Sequence, residues 1–81
     1  MKTKENEAGT LASLAIGESA AVAQIDPECK ITRRLYDLGF CRGETVTCMF
    51  KSPLGDPTAY LIRGAMIALR RRDAAMVAVK E

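Results

Sequence analysis

The stretch Thr45-Val-Thr-Cys-Met-Phe-Lys-Ser-Pro-Leu-Gly-Asp-Pro-Thr-Ala-Tyr-Leu-Ile-Arg-Gly-Ala-Met-Ile-Ala-Leu-Arg70 is where the apolar spacing of this chain turns from helical to a period of two, and it decides the fold. Val46, Cys48 and Phe50 alternate with Thr45, Thr47 and Met49, which predicts a half-buried strand with Cys48 pointing inward. Ser52-Pro-Leu-Gly-Asp-Pro57 breaks the strand, because two prolines cannot donate to a ladder and the glycine tolerates positive φ. A return strand is expected from Thr58 to Arg63, with Tyr60 and Ile62 set against Ala59 and Leu61. Gly64 ends it in a tight turn, and Met66-Ile-Ala-Leu-Arg70 follows as a third strand.

Upstream, Asp26-Pro27-Glu28 offers an N-cap, a proline at the first helical position and an early acid, and Gly39 offers a stop. A helix of about three turns is expected between them. Ile31, Leu35 and Leu38 form one apolar stripe, while Lys30, Arg33, Arg34 and Asp37 fall on the other side. Before the helix, Ser19 to Ile25 reads as an alanine-rich strand. Its bulky residues, Val22 and Ile25, lie three apart, so both can face inward only across a bulge or bend. Leu11, Leu14 and Ile16, closed by Gly17, read as a helical turn that lays Leu11 and Leu14 on the core. Downstream, Arg71 to Ala75 reads as one helical turn, and Val77 and Val79 belong to a last strand. Residues 1–9 carry no apolar periodicity and are expected to form a flexible tail before a single domain over 10–81. The fold expected is mainly β: five short strands with one helix inserted after the first, curled into a small barrel to bury a core and hide the edges.

Composition closes several classes of function. The 81 residues suffice for one core, and 48% hydrophobic with 27% charged residues is ordinary for a folded chain. A net charge of +2 gives no general attraction to nucleic acid or anionic lipid. There is no histidine, which removes Ser-His-Asp and Cys-His arrangements and mixed Cys/His zinc sites. No GxxxxGK[ST] motif is present, so GTP would not be bound by that device. Cys29, Cys41 and Cys48 are an odd number without a CxxC and are expected to stay reduced. The start of the chain lacks the apolar core of a secretory signal and no stretch reaches the ~20 residues of a membrane span, so a cytoplasmic location is expected.

Phe40 and Leu54 sit in expected loops beside glycines, where an apolar side chain either plugs an open end of the barrel or stands out as an anchor for a partner. A partner-contacting surface is accordingly placed on Phe40, Arg42, Leu54, Gly55 and Asp56. Met49, Met66 and Met76 pose the same question on the strands, with core or partial burial expected. Arg33, Arg34 and Arg70 to Arg72 form either a solvated face or a basic footprint, partly offset by Asp37 and Asp73. Cys29 in the expected first helical turn and Cys41 in a loop are candidates for reactive thiols, with inert packing the simpler reading. Scattered carboxylates and three thiols make a poor ferrous site, so neither a metal nor a cofactor is expected.

In their order and spacing these elements resemble the FeoA family. The resemblance runs from Leu11 to Val79: Leu11, Leu14 and Gly17; Val22 and Ile25; Arg34-Leu35 with Leu38-Gly39-Phe40 and Gly43; Val46; Pro53-Leu-Gly-Asp-Pro57; Tyr60; Gly64; Ile67-Ala-Leu-Arg70; Ala74; Val77 and Val79. It implies an SH3-like barrel without a catalytic motif, hence not an enzyme. It also implies an accessory protein that binds and modulates the cytoplasmic, GTPase-bearing part of the FeoB ferrous iron permease, meeting the membrane only through that partner. The same fold occurs as a terminal domain of iron-responsive repressors; no DNA-reading domain precedes it here, so the stand-alone form is expected. Two other classes stay open: a small nucleic-acid-binding barrel, disfavoured by weak charge and few aromatics, and a thiol-based redox or metal-handling protein. Self-association through edge strands or apolar loops is a further expectation.

Overall fold

The computed structural model describes residues 9–80. Six strands form one antiparallel sheet in the order β1-β6-β2-β3-β4-β5. They are β1 (Gly9–Thr10), β2 (Ser19–Ile25), β3 (Thr45–Lys51), β4 (Thr58–Ile62), β5 (Ala65–Leu69) and β6 (Val77–Lys80), with helices α1 (Thr32–Leu38) and α2 (Arg71–Ala74) and a 3-10 turn at Leu11–Ser13. The chain is mainly β, as the period of two indicated, but its described residues hold six strands where five were expected. Gly9 and Thr10 add the sixth by pairing with Val79 and Ala78. The expected tail over 1–9 therefore loses Gly9 to the sheet; its other residues, 1–8, lie outside the described part of the chain.

The sheet curls around Leu11, Leu14, Val22, Leu35, Phe40, Val46, Tyr60, Ile62, Val77 and Val79, all essentially without exposure. Two irregularities shape it. The pairing of β2 with β6 slips between Val22 and Gln24, and both Val22 and Ile25 are buried, as their spacing required. The pairing of β3 with β4 slips between Cys48 and Phe50. One extra residue reverses the alternation beyond it, so Val46 and Cys48 point inward while Phe50, expected to join them, is 55% exposed.

The helix is shorter than expected, about two turns instead of three. Asp26 does not cap it. The Asp26 N–H donates to the Met76 carbonyl (2.7 Å), the Asp26 carboxylate accepts from the Glu28 N–H (2.8 Å), and the Asp26 carbonyl accepts from the Cys29 N–H (2.9 Å). Asp-Pro-Glu thus closes a side-chain turn at the end of β2, and helical bonding begins only with Leu35 N–H to the Ile31 carbonyl. This places Cys29, itself buried, in the turn ahead of the helix, outside its first turn. At the other end Gly39 adopts φ 108°, its N–H bonding to the Tyr36 carbonyl and the Phe40 N–H to the Leu35 carbonyl. That pattern is a Schellman motif, in which the residue after the glycine turns back onto the helix.

Candidate functional site

The five residues placed on a partner-contacting surface divide into two groups. Leu54, Gly55 and Asp56 lie in the β3–β4 loop, which closes on itself through Ser52 N–H to the Pro57 carbonyl (3.1 Å) and Gly55 N–H to the Ser52 carbonyl (2.7 Å). Leu54 is 94% exposed at its tip. Asp56 ties the loop to the rest of the domain, its Oδ1 accepting from the Arg71 N–H at the start of α2 (2.8 Å). Arg42 is exposed in the turn before β3, which is pinned to β2 by Gly43 N–H to the Val22 carbonyl (2.8 Å). It shares the lining of a shallow cleft with Gln24, Tyr36 and Phe40, and that cleft contains none of the loop residues.

Phe40 corrects the sequence reading. It is 0% exposed, a member of the core and not an anchor presented to solvent. The physical reason is the helix stop: the residue after Gly39 in a Schellman motif packs back against the last helical turn, and Leu35 of that turn is itself core. Leu38-Gly39-Phe40 carried that signal. Of the methionines, Met76 is partly buried against the core, whereas Met49 and Met66 are exposed instead of buried. Ile16 and Tyr36 are exposed as well.

The exposed apolar side chains that sequence reasoning missed concentrate on the outer face of β3, β4 and β5. Phe50, Pro57, Met66 and Ala68, with the buried Ala59 between Phe50 and Ala68, line one cleft there. Phe50 could not be found by strict alternation, because the bulge that turns it outward leaves no mark in the apolar pattern. On the other side of β5 a groove runs toward α1, lined by Ile31, Leu38, Ile67 and Leu69 together with Arg34, Arg70 and Arg72, against the single acid Asp73. Of the arginines read together in the sequence as a solvated face or a basic footprint, Arg34, Arg70 and Arg72 thus meet along one groove, which Arg33 and Arg71 do not line.

The titratable core groups serve packing. Burial pushes the Cys48 thiol above its ordinary range, an effect Lys51 partly opposes and Glu18 reinforces. Burial likewise pushes the Tyr60 phenol up to about 12, helped by Cys48 and Asp56, and opposed by a hydrogen bond from Thr58. Tyr60 keeps its proton and donates it to the Leu11 carbonyl at 3.2 Å. Cys29 and Cys48 are buried and Cys41 is exposed, all three free. No group of three or more Cys, Asp or Glu side chains among the described residues is placed to hold a metal ion. No helix among them is long and apolar enough to cross a membrane.

A family model for the FeoA domain matches residues 9–81, nearly the whole chain. The chain belongs to the FeoA family. Among FeoA relatives, it is 33% identical over 70 residues to an Fe(2+) transport protein A/Fe(2+) transporter FeoB fusion protein of Porphyromonas gingivalis. That match covers 86% of this chain but 8% of the much longer fusion protein. The FeoA-like protein of Clostridium acetobutylicum, solved by NMR, superposes with a TM-score of 0.83 at 32% identity, over 91% of this chain and 86% of that one. Stenotrophomonas maltophilia FeoA, crystallised with zinc and described as a prokaryotic SH3 domain protein, gives 0.80 at 35% identity, over 90% and 91% of the two chains. The SH3-like fold implied by the sequence is therefore the fold of this FeoA-family chain. A manganese-dependent transcriptional repressor, at 19% identity and a TM-score of 0.77 over 36% of its length, shares the fold alone.

Proposed function

We propose that this FeoA-family chain is a non-enzymatic accessory protein of ferrous iron uptake that binds and modulates the cytoplasmic, GTPase-bearing part of an FeoB-type permease. The observation that carries this reading is the Porphyromonas gingivalis relative, in which a segment similar to this chain is joined in one polypeptide to the FeoB transporter. Covalent joining fixes a high local concentration of one part beside the other, which is useful where the two work in contact. The Stenotrophomonas maltophilia protein, 35% identical, has likewise been considered as a bacterial ferrous iron transport activating factor.

The physical chemistry of the chain supports the same reading. Its sequence has no P-loop and no histidine, so nucleotide chemistry falls to the partner. What it presents instead is a curved sheet with Phe50 and Met66 on its surface and Leu54 at a loop tip. A few apolar side chains of this kind supply most of the energy of a protein contact. In this reading the protein works on the cytoplasmic side and reaches the membrane only through its partner. The test in cells is ferrous uptake after deletion of the gene. Uptake should fall and return with the wild-type copy; unchanged uptake under iron limitation would refute the proposal.

A further inference from the structure

Among the described residues β5 ends the sheet, and one side of it is open. Curling hides the core but does not hide this edge. Arg63 and Gly64 form a two-residue turn with φ of 51° and 82°, so Ile62 and Ala65 exchange both of their hydrogen bonds. By alternation the pairs Tyr60 with Ile67 and Thr58 with Leu69 do the same. The N–H and C=O groups of Met66 and Ala68 therefore point away from β4, and no backbone group among the described residues bonds to them. Protected edges carry a lysine, a proline or a bulge. Ala65-Met-Ile-Ala-Leu69 has none of these, and its pairing with β4 is regular throughout.

The two flanks of this edge differ in chemistry. One is the cleft of Phe50, Met66 and Ala68, mostly apolar. The other is the groove toward α1, where Arg34, Arg70 and Arg72 face a single Asp73. An added strand would send alternate side chains to each flank. We infer that the open edge of β5 takes an extended segment of the partner as a seventh strand, with apolar residues alternating with acidic ones. Its apolar side chains lie on Phe50 and Met66, and its carboxylates lie on Arg34, Arg70 and Arg72. A second copy of this chain fits less well. Antiparallel self-pairing about Ile67 sets Arg63 of one copy opposite Arg71 of the other, and brings two basic grooves together. The inference rests on the partner-binding function proposed above and names the chemistry of the segment recognised.

The test uses the full chain, labelled with 15N, and two blocked seven-residue peptides, one alternating valine with glutamate and one alternating valine with lysine. The glutamate peptide should shift the Met66 and Ala68 amides, more weakly at high salt, and the lysine peptide should bind more than about tenfold more weakly. Ala68→Pro removes an N–H that β4 does not use and should abolish the response. Arg34→Glu with Arg72→Glu should reverse the preference between peptides, and it serves as the deciding variant if the proline disturbs the remaining amide spectrum. Equal response to both peptides, shifts centred elsewhere, no shift at millimolar peptide, or concentration-dependent shifts at Met66 and Ala68 without peptide would each overturn the inference. The same proteins are then mixed with the cytoplasmic part of the cognate permease. If wild type and Ala68→Pro bind it equally, the edge proposal fails and the accessory function stands. If neither binds while the glutamate peptide still shifts Met66 and Ala68, the edge's recognition of an alternating apolar and acidic strand stands and the accessory function fails.

Discussion

The hydroxyl of Tyr60, on β4, donates to the backbone carbonyl of Leu11 in the 3-10 turn, 3.2 Å away and 49 residues distant in sequence. Both residues are buried, so this one bond fastens the opening turn to the centre of the sheet. Tyr60→Phe should leave the Leu11 carbonyl with only its bond from the Leu14 N–H (3.1 Å) and cost about 1 kcal/mol in urea unfolding, with little change of fold.

The same residue sets an alkaline limit. Its phenol titrates at about 12 in the folded chain and at 10.0 when exposed. The contribution of the protonated phenol is thus complete below pH 10 and is lost as the pH rises toward 12, with a slope of at most about 1.4 kcal/mol per pH unit. The Cys48 thiol, also raised, acts in the same direction from its own ordinary value of 9.0. Urea midpoints measured across the alkaline range should fall for wild type, and the fall should be shallower for Tyr60→Phe.

Phe40 and Leu54 should separate cleanly by stability. Phe40→Ala empties a core site and should cost about 3–5 kcal/mol, whereas Leu54→Ala, at a fully solvated tip, should stay within about 0.5 kcal/mol. Gly39→Ala should cost about 1–3 kcal/mol, since φ is 108° there and a Cβ would lie 2.7 Å from Arg63 Cδ. Equal losses at Phe40 and Leu54 would contradict the Schellman account of this turn.

Asp56 holds its loop to α2 through the Arg71 N–H. Asp56→Ala should cost about 1 kcal/mol and raise amide exchange at Arg71, while Asp56→Asn, which keeps an acceptor oxygen, should recover most of both.

Thiol reactivity should follow burial. In the native protein a maleimide should label Cys41 rapidly, and Cys29 and Cys48 only after denaturant is added. Rapid labelling of all three under native conditions would contradict the packing described.

The strands and their faces were legible wherever alternation was unbroken: Val46, Cys48, Tyr60, Ile62, Val77 and Val79 are buried as read. Even the bulge in β2 was legible, because Val22 and Ile25 cannot both face inward without one. The bulge in β3 was not, since an apolar residue on either face gives the same pattern, and Phe50 was misassigned for that reason. Asp26-Pro27-Glu28 misled on the helix start because a side-chain turn and an N-cap use the same residues. The short strand at Gly9–Thr10 carries no periodicity at all. Of the candidate surface, Leu54 and Arg42 are exposed as placed, Phe40 is not, and the groove between α1 and β5 depends on residues between Ile31 and Asp73 converging, which no local pattern records.

Binding to the permease is tested most directly by calorimetric titration of this chain into the purified cytoplasmic part of the cognate FeoB-type permease. Saturable binding of defined stoichiometry is expected, together with a change in the permease's GTPase rate on saturation. Absence of heat and of any rate change at concentrations up to about 1 mM, where even affinities near −4 kcal/mol register, would contradict it.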